Sequence, residues 1–178
     1  MDTYVALLRA VNLGSHQRLS MARLRELAET AGALAPRTYL QSGNVVFTAP
    51  HTDTTQVATA LGAVLAADGL ATEVMVRRGQ TIVDLATAGH PHAAAAATPQ
   101  NLQIAFALAA VPPRVVEAMP IPGREQAAWC GGDVALHYPD GVGRSKLTTA
   151  HLAKHLGTPV TCRNWRTVRA LAELAETA

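Results

Sequence analysis

Apolar residues recur along this chain with two periods, every second position in some blocks and every third or fourth in others, which separates strands from helices. Thr3-Tyr-Val-Ala-Leu-Leu-Arg9 is a short β-prone run, apolar on both faces, and predicts a central strand covered from both sides. A polar loop, Asn12 to Arg18, follows. Ser20 then offers a hydroxyl cap to a helix ending near Gly32, with Met21, Leu24, Leu27 and Ala28 at helical spacing. Arg37 to Leu40 and Val45 to Thr48 read as extended runs joined by Gln41-Ser42-Gly43-Asn44, a composition suited to a hairpin turn. Asp53 to Asp68 carries Val57, Leu61, Val64 and Leu65 on one helical stripe, and Thr72 to Arg77 alternates as a strand. The resulting order, βαββαβ, is that of a ferredoxin-like split βαβ unit.

A short helix, Thr81 to Ala88, leads into Gly89-His-Pro-His92 and the alanine run Ala93 to Ala97, which reads as a junction between halves. Beyond it the pattern predicts a strand over Leu102 to Leu108 and a helix after Pro112-Pro113. Strands at Gln126 to Cys130 and Val134 to Tyr138 follow, joined by Gly131-Gly132-Asp133. A glycine-containing loop from Asp140 to Ser145, a helix to Leu156, a short strand at Val160 to Cys162 and a helix from Asn164 close the chain. The fold class is α+β, with a ferredoxin-like domain over 1–88 and a smaller α+β domain over 89–178 packed against it.

Composition narrows the class. Of 178 residues, 49% are hydrophobic, which excludes disorder, but only 4% are aromatic, so the core is built from Leu, Val and Ala. No basic segment precedes the first strand, and Cys130 and Cys162 lie far apart, which together predict a cytoplasmic protein with reduced thiols. Apolar stretches are broken by Arg, Gly or Pro before reaching the ~20 residues of a membrane span. A net charge of +2 is too small to imply a polyanion partner by bulk charge.

The placement of the cations is more informative. Arg144 and Lys146 flank Ser145 at the expected start of a helix, Arg163 and Arg166 flank the Asn164 cap of the last helix, and Arg18 and Arg23 bracket Ser20. A helix N-terminus carries about half a positive charge, so cations are disfavoured there and anions welcomed. Asp140-Gly-Val-Gly143-Arg-Ser-Lys146 also has small residues that let backbone N–H groups approach a ligand, although it is not a Walker A loop. Solvated side chains bent away from the dipole are the structural alternative. A second polar cluster, Arg9, Asn12, Gln41, Ser42 and Asn44, falls near one strand end; such groups bind a polar ligand or bond one another to lock the turn. The locking role is the favoured one.

His151 and His155 have a workable ligand spacing, but Leu152 stands where a zincin needs its glutamate, so no metal and no cofactor are predicted. The βαββαβ order is also that of an RNA-recognition module. Only Tyr4 and Phe47 stand on the base-stacking strands, however, and Trp129 and Trp165 read as packing residues.

Four segments carry a family resemblance: Tyr4-Val-Ala-Leu-Leu-Arg-Ala-Val-Asn12, Thr38-Tyr-Leu-Gln-Ser-Gly-Asn-Val-Val-Phe47, Gly143-Arg-Ser-Lys-Leu147 and Arg163-Asn-Trp-Arg-Thr-Val168. The chain resembles the bacterial family called domain of unknown function 1697, from Thr3 to about Ala175. The resemblance implies a two-part α+β protein and no established activity, cofactor or catalytic set. The residues themselves support a protein binding a phosphate- or carboxylate-bearing small molecule through Arg144, Ser145, Lys146, Arg163, Asn164 and Arg166. Arg9 and Asn12 form a second shell or second site. The runner-up is an enzyme acting on such a molecule, oriented near Gln41 to Asn44; a third reading is sequence-independent nucleic-acid binding. Spacing assigns no oligomeric state.

Overall fold

The expected central strand forms as β1, Asp2–Leu8, and every residue from Tyr4 to Leu8 is fully buried. The computed structural model in which it is seen describes residues 1–11, 19–50 and 53–178. β1 pairs antiparallel with β3 (Asn44–Ala49) on one side and β4 (Val74–Arg78) on the other, with β2 (Leu34–Tyr39) outside β3. Helices α1 (Met21–Thr30) and α2 (Thr54–Ala67) bring Leu24, Leu27, Leu61 and Leu65 into one core with Tyr4, Leu8, Val45 and Phe47. Truncating one such leucine to alanine costs about 2–5 kcal/mol. The helix starts are those expected: the Ser20 hydroxyl accepts from Arg23 N at 3.1 Å and Asp53 Oδ1 from Thr55 N at 2.9 Å. A further helix, α3 (Gly79–Ala88), follows β4 directly.

The second half repeats this plan. β5 (Leu102–Ala107), α4 (Pro113–Ala118), β6 (Gln126–Cys130), β7 (Asp133–His137), α5 (Thr149–Leu156) and β8 (Val160–Asn164) again run βαββαβ, followed by α6 (Trp165–Glu176). The sheet orders, β2-β3-β1-β4 and β6-β7-β5-β8, are the same order twice, and all the pairings are antiparallel. Both halves are therefore split βαβ units. The chain divides into Met1–Asp84 with Arg169–Ala178 as one unit and Leu85–Val168 as the other. In the first unit the Arg37 guanidinium donates to the Leu174 carbonyl and, at 3.1 Å, to Thr177 Oγ1.

Registers make the repeat specific to residues. Val5 lies between Val46 and Arg77, and Ile104 lies between Ala135 and Arg163, so Arg77 and Arg163 occupy equivalent positions. Each donates from Nη1 to the carbonyl of the residue before it, at 2.9 Å in both cases. Ala6 opposite Val45 matches Ala105 opposite Val134, which makes buried Asn44 and buried Asp133 counterparts at the start of β3 and β7.

Candidate functional site

The loop ahead of α5 differs from its sequence reading. Val142–Arg144 forms a single 3-10 turn after Gly141, whose φ of +84° favours glycine. Thr148 caps α5, accepting from His151 N at 3.2 Å, so Arg144 and Lys146 precede the helix and do not stand on its first turn. Contrary to the sequence reading, the α5 dipole is therefore not what these two cations face from its first turn. Ser145 donates its hydroxyl proton to Glu125 Oε1 and accepts from Leu147 N at 2.9 Å. A carboxylate already holds that hydroxyl and repels a second anion there, which leaves the two flanking cations. Both are exposed, and among the described residues neither has a hydrogen-bond or ion-pair partner.

The residues expected together at the start of the last helix separate into three roles. Asn164 Oδ1 accepts from Thr167 N at 2.8 Å and caps α6. Arg163 sits on β8 with only 7% exposure, donating to Thr161 Oγ1 at 2.8 Å and to the Cys162 carbonyl. Burial pulls its guanidinium down to about 10, still a cation at neutral pH. Arg166 lies exposed on the first turn of α6.

In the first unit, Arg9 pairs with Glu73 at 3.1 Å, toward β4 and away from the hairpin turn. Asn44, fully buried, donates from Nδ2 to the Tyr39 carbonyl at 2.8 Å and to Ser42 Oγ at 2.9 Å. Leu8 N donates to the Gly43 carbonyl at 2.9 Å, tying the turn to the end of β1. The amide thus holds the turn, while Gln41 and Ser42 are exposed. Asn12 and Arg18 lie outside the described residues. Arg23, on the first turn of α1, is held by Asp68 at 2.5 Å and Glu26 at 2.8 Å, so two carboxylates offset the dipole there.

Tyr4 and Phe47 face each other across β1 and β3 within the helix-covered core, ring centres 6.1 Å apart, and neither can stack a base. Trp129 corrects another expectation: it is 44% exposed, anchored by Nε1 donating to the Val111 carbonyl at 2.8 Å. No helix among the described residues is long and apolar enough to cross a membrane.

The model of a family described as "Protein of unknown function (DUF1697)" matches residues 1–135. The chain belongs to the DUF1697 family. The solved structure of the conserved bacterial protein SP0830 from Streptococcus pneumoniae is similar, with a TM-score of 0.69 at 17% identity, over 99% of each chain. That likeness shows the fold across the whole chain and not any ligand. No curated protein matches.

One feature of this DUF1697 chain was not legible from spacing. His90 and His92, from the loop after α3, meet His137 on β7: His90 and His92 ring centres lie 5.9 Å apart, and His92 and His137 lie 6.2 Å apart. His90 also meets the edge of Trp165 at 5.2 Å. Burial, and then the neighbouring imidazoles, holds His90 and His92 below the ordinary imidazole range.

Proposed function

We propose that this DUF1697 protein binds a small anionic molecule, phosphate- or carboxylate-bearing, through Arg144 and Lys146. The observation that supports the reading is that both cations stand exposed on a glycine-bearing loop and, among the described residues, without a carboxylate partner. Their neighbour Arg124, by contrast, is paired with Asp140. A guanidinium and an ammonium so placed offer forked and point-charge donors, the pairing suited to a carboxylate or phosphate oxygen. Arg166 is a further exposed cation of the same unit.

The test is a thermal-shift screen of the intact chain against inorganic phosphate, nucleotides, mono- and dicarboxylates and short oligonucleotides. A ligand present at about a hundred times its dissociation constant adds ~2.7 kcal/mol, a shift of several degrees for a chain of this size. A shift confined to one anion class, and lost in the Arg144→Ala/Lys146→Ala variant, supports the reading. A shift that survives the double variant overturns it. A response confined to oligonucleotides and collapsing with salt transfers the surface to nucleic acid.

A further inference from the structure

The histidine cluster lies wholly within Leu85–Val168 and contains two ring nitrogens that the fold leaves unsatisfied. His137 Nδ1 stands 2.9 Å from Gln126 Oε1. A carbonyl oxygen only accepts, so Nδ1 carries the proton and Nε2 keeps its lone pair. That Nε2 is buried without a partner, and so is His92 Nε2. Leaving a buried polar atom unsatisfied is costly, and two such atoms on neighbouring rings point to something that bridges them.

His90 is not part of that demand. Its Nε2 donates to the Gln103 carbonyl at 3.0 Å, and its Nδ1 accepts from His92 N at 3.1 Å. Both nitrogens are used, and His90 fixes the backbone that carries His92. The His92 and His137 rings are tilted by 28° with centres 6.2 Å apart. Two imidazoles binding one ion through Nε2 at about 2.0–2.1 Å have centres roughly 5 to 6.5 Å apart, as the angle at the metal opens from tetrahedral to linear. The observed spacing lies at the wide-angle end of that window, so a tetrahedral ion would draw the two rings together by about 1 Å.

We propose that His92 and His137 form a two-imidazole site for a first-row transition-metal ion such as Zn2+, with Gln126 and His90 as positioning residues. The hydrogen bond from His137 Nδ1 to a side-chain carbonyl is the outer-shell contact that orients a ligating histidine. Neutral imidazoles select zinc, copper or nickel over magnesium or calcium, which require oxygen ligands. Among the described residues no group of three or more His, Cys, Asp and Glu is arranged around a metal, so the protein supplies two ligands and solvent or a small molecule the rest. His151 and His155, with ring centres 4.4 Å apart on α5, form a second imidazole pair that any test must separate from the first.

The experiment titrates the intact chain with Zn2+ against a chromophoric chelator. One equivalent binds, His92→Phe abolishes it, and Gln126→Leu, at an exposed position, weakens it about tenfold. The His151→Ala/His155→Ala variant binds as the unmutated chain does. Because substitution of buried His137 can unfold the unit, a second measurement uses the unmutated protein. Substoichiometric Cu2+ broadens the imidazole proton resonances of His92 and His137 first. No Zn2+ binding, binding untouched by His92→Phe, binding lost with the α5 pair, or broadening centred on any other imidazole overturns the assignment.

Discussion

The two units share strand order, pairing and register, yet they differ in how they dispose of their polar groups. In the first, three cations are held by carboxylates, Arg9 by Glu73, Arg23 by Asp68 and Glu26, and Arg78 by Asp2, against one such pair, Arg124 with Asp140, in the second. In the second, Arg144, Lys146 and Arg166 have no partner among the described residues, and two imidazole nitrogens are buried without one. Position for position, Thr48 in the first sheet corresponds to His137 in the second. One topology therefore serves twice, and what distinguishes the copies is which hydrogen-bonding groups the fold uses up. Function belongs to such sites and not to the fold that carries them.

The comparison breaks most visibly at the hairpin turns. Gly43 has φ +75°, and an added Cβ would lie 2.5 Å from Val11 Cγ2 and 2.9 Å from Leu8 Cβ; its counterpart Gly132, just before Asp133, has φ +98° and would meet Ala110 Cβ at 3.1 Å. Gly43→Ala therefore costs about 3 kcal/mol from backbone strain plus overpacking, and Gly132→Ala about 2, from strain and a milder contact. Urea denaturation measures both, and equal costs would mean that the turns are not differently packed.

Next come the buried counterparts Asn44 and Asp133. Asn44→Ala removes the two N–H groups that bond the Tyr39 carbonyl and Ser42 Oγ, and Asp133→Ala removes the Oδ1 that accepts from Ala107 N at 2.8 Å. Each costs about 1–3 kcal/mol. Asp133→Asn, which keeps an acceptor, costs less.

Acid separates the units. The folded chain holds His90 and His92 below the usual imidazole value, so the unfolded chain takes up protons first as pH falls through about 6.5. Their contribution to stability is complete above that pH and is lost below it, as pH approaches the folded-state values. Trp129 and Trp165 both belong to the second unit, so tryptophan fluorescence during urea unfolding at pH 7.5 and at pH 5.5 reports the loss. His92→Phe flattens the dependence.

The smallest effect is the most discriminating. Arg144→Ala/Lys146→Ala leaves stability within about 0.5 kcal/mol, since neither cation has a partner to lose. Arg23→Ala, which breaks two ion pairs, lowers the midpoint of thermal unfolding. A clear stability loss in the Arg144/Lys146 variant would reveal a structural partner for those cations and remove the basis of the anion site.

The helix starts were legible because a Ser or Asp side chain capping the second or third residue on is a local event, as at Ser20 and Asp53. Asn164 was legible for the same reason. The elements of the second half were legible one by one, but their equivalence to the first half rests on sheet order and strand register, which no spacing in the sequence encodes. Thr148 was missed as the cap of α5 since Ser145 is an equally good capping residue, and only tertiary contact with Glu125 diverts it. Meeting of His92 with His137 is likewise tertiary: strand register sets it, and no spacing in the sequence encodes it. Trp129 is exposed through a bond to Val111, in a segment remote from its own strand.

The last ten residues, Arg169 to Ala178, belong with Met1–Asp84 and not with the unit that immediately precedes them. On the ribosome, domains generally fold as units in the order they emerge. Here every strand of the first unit emerges early, while the segment that accepts the Arg37 guanidinium at Leu174 and Thr177 is translated after the whole of the second. The half translated first is the half completed last.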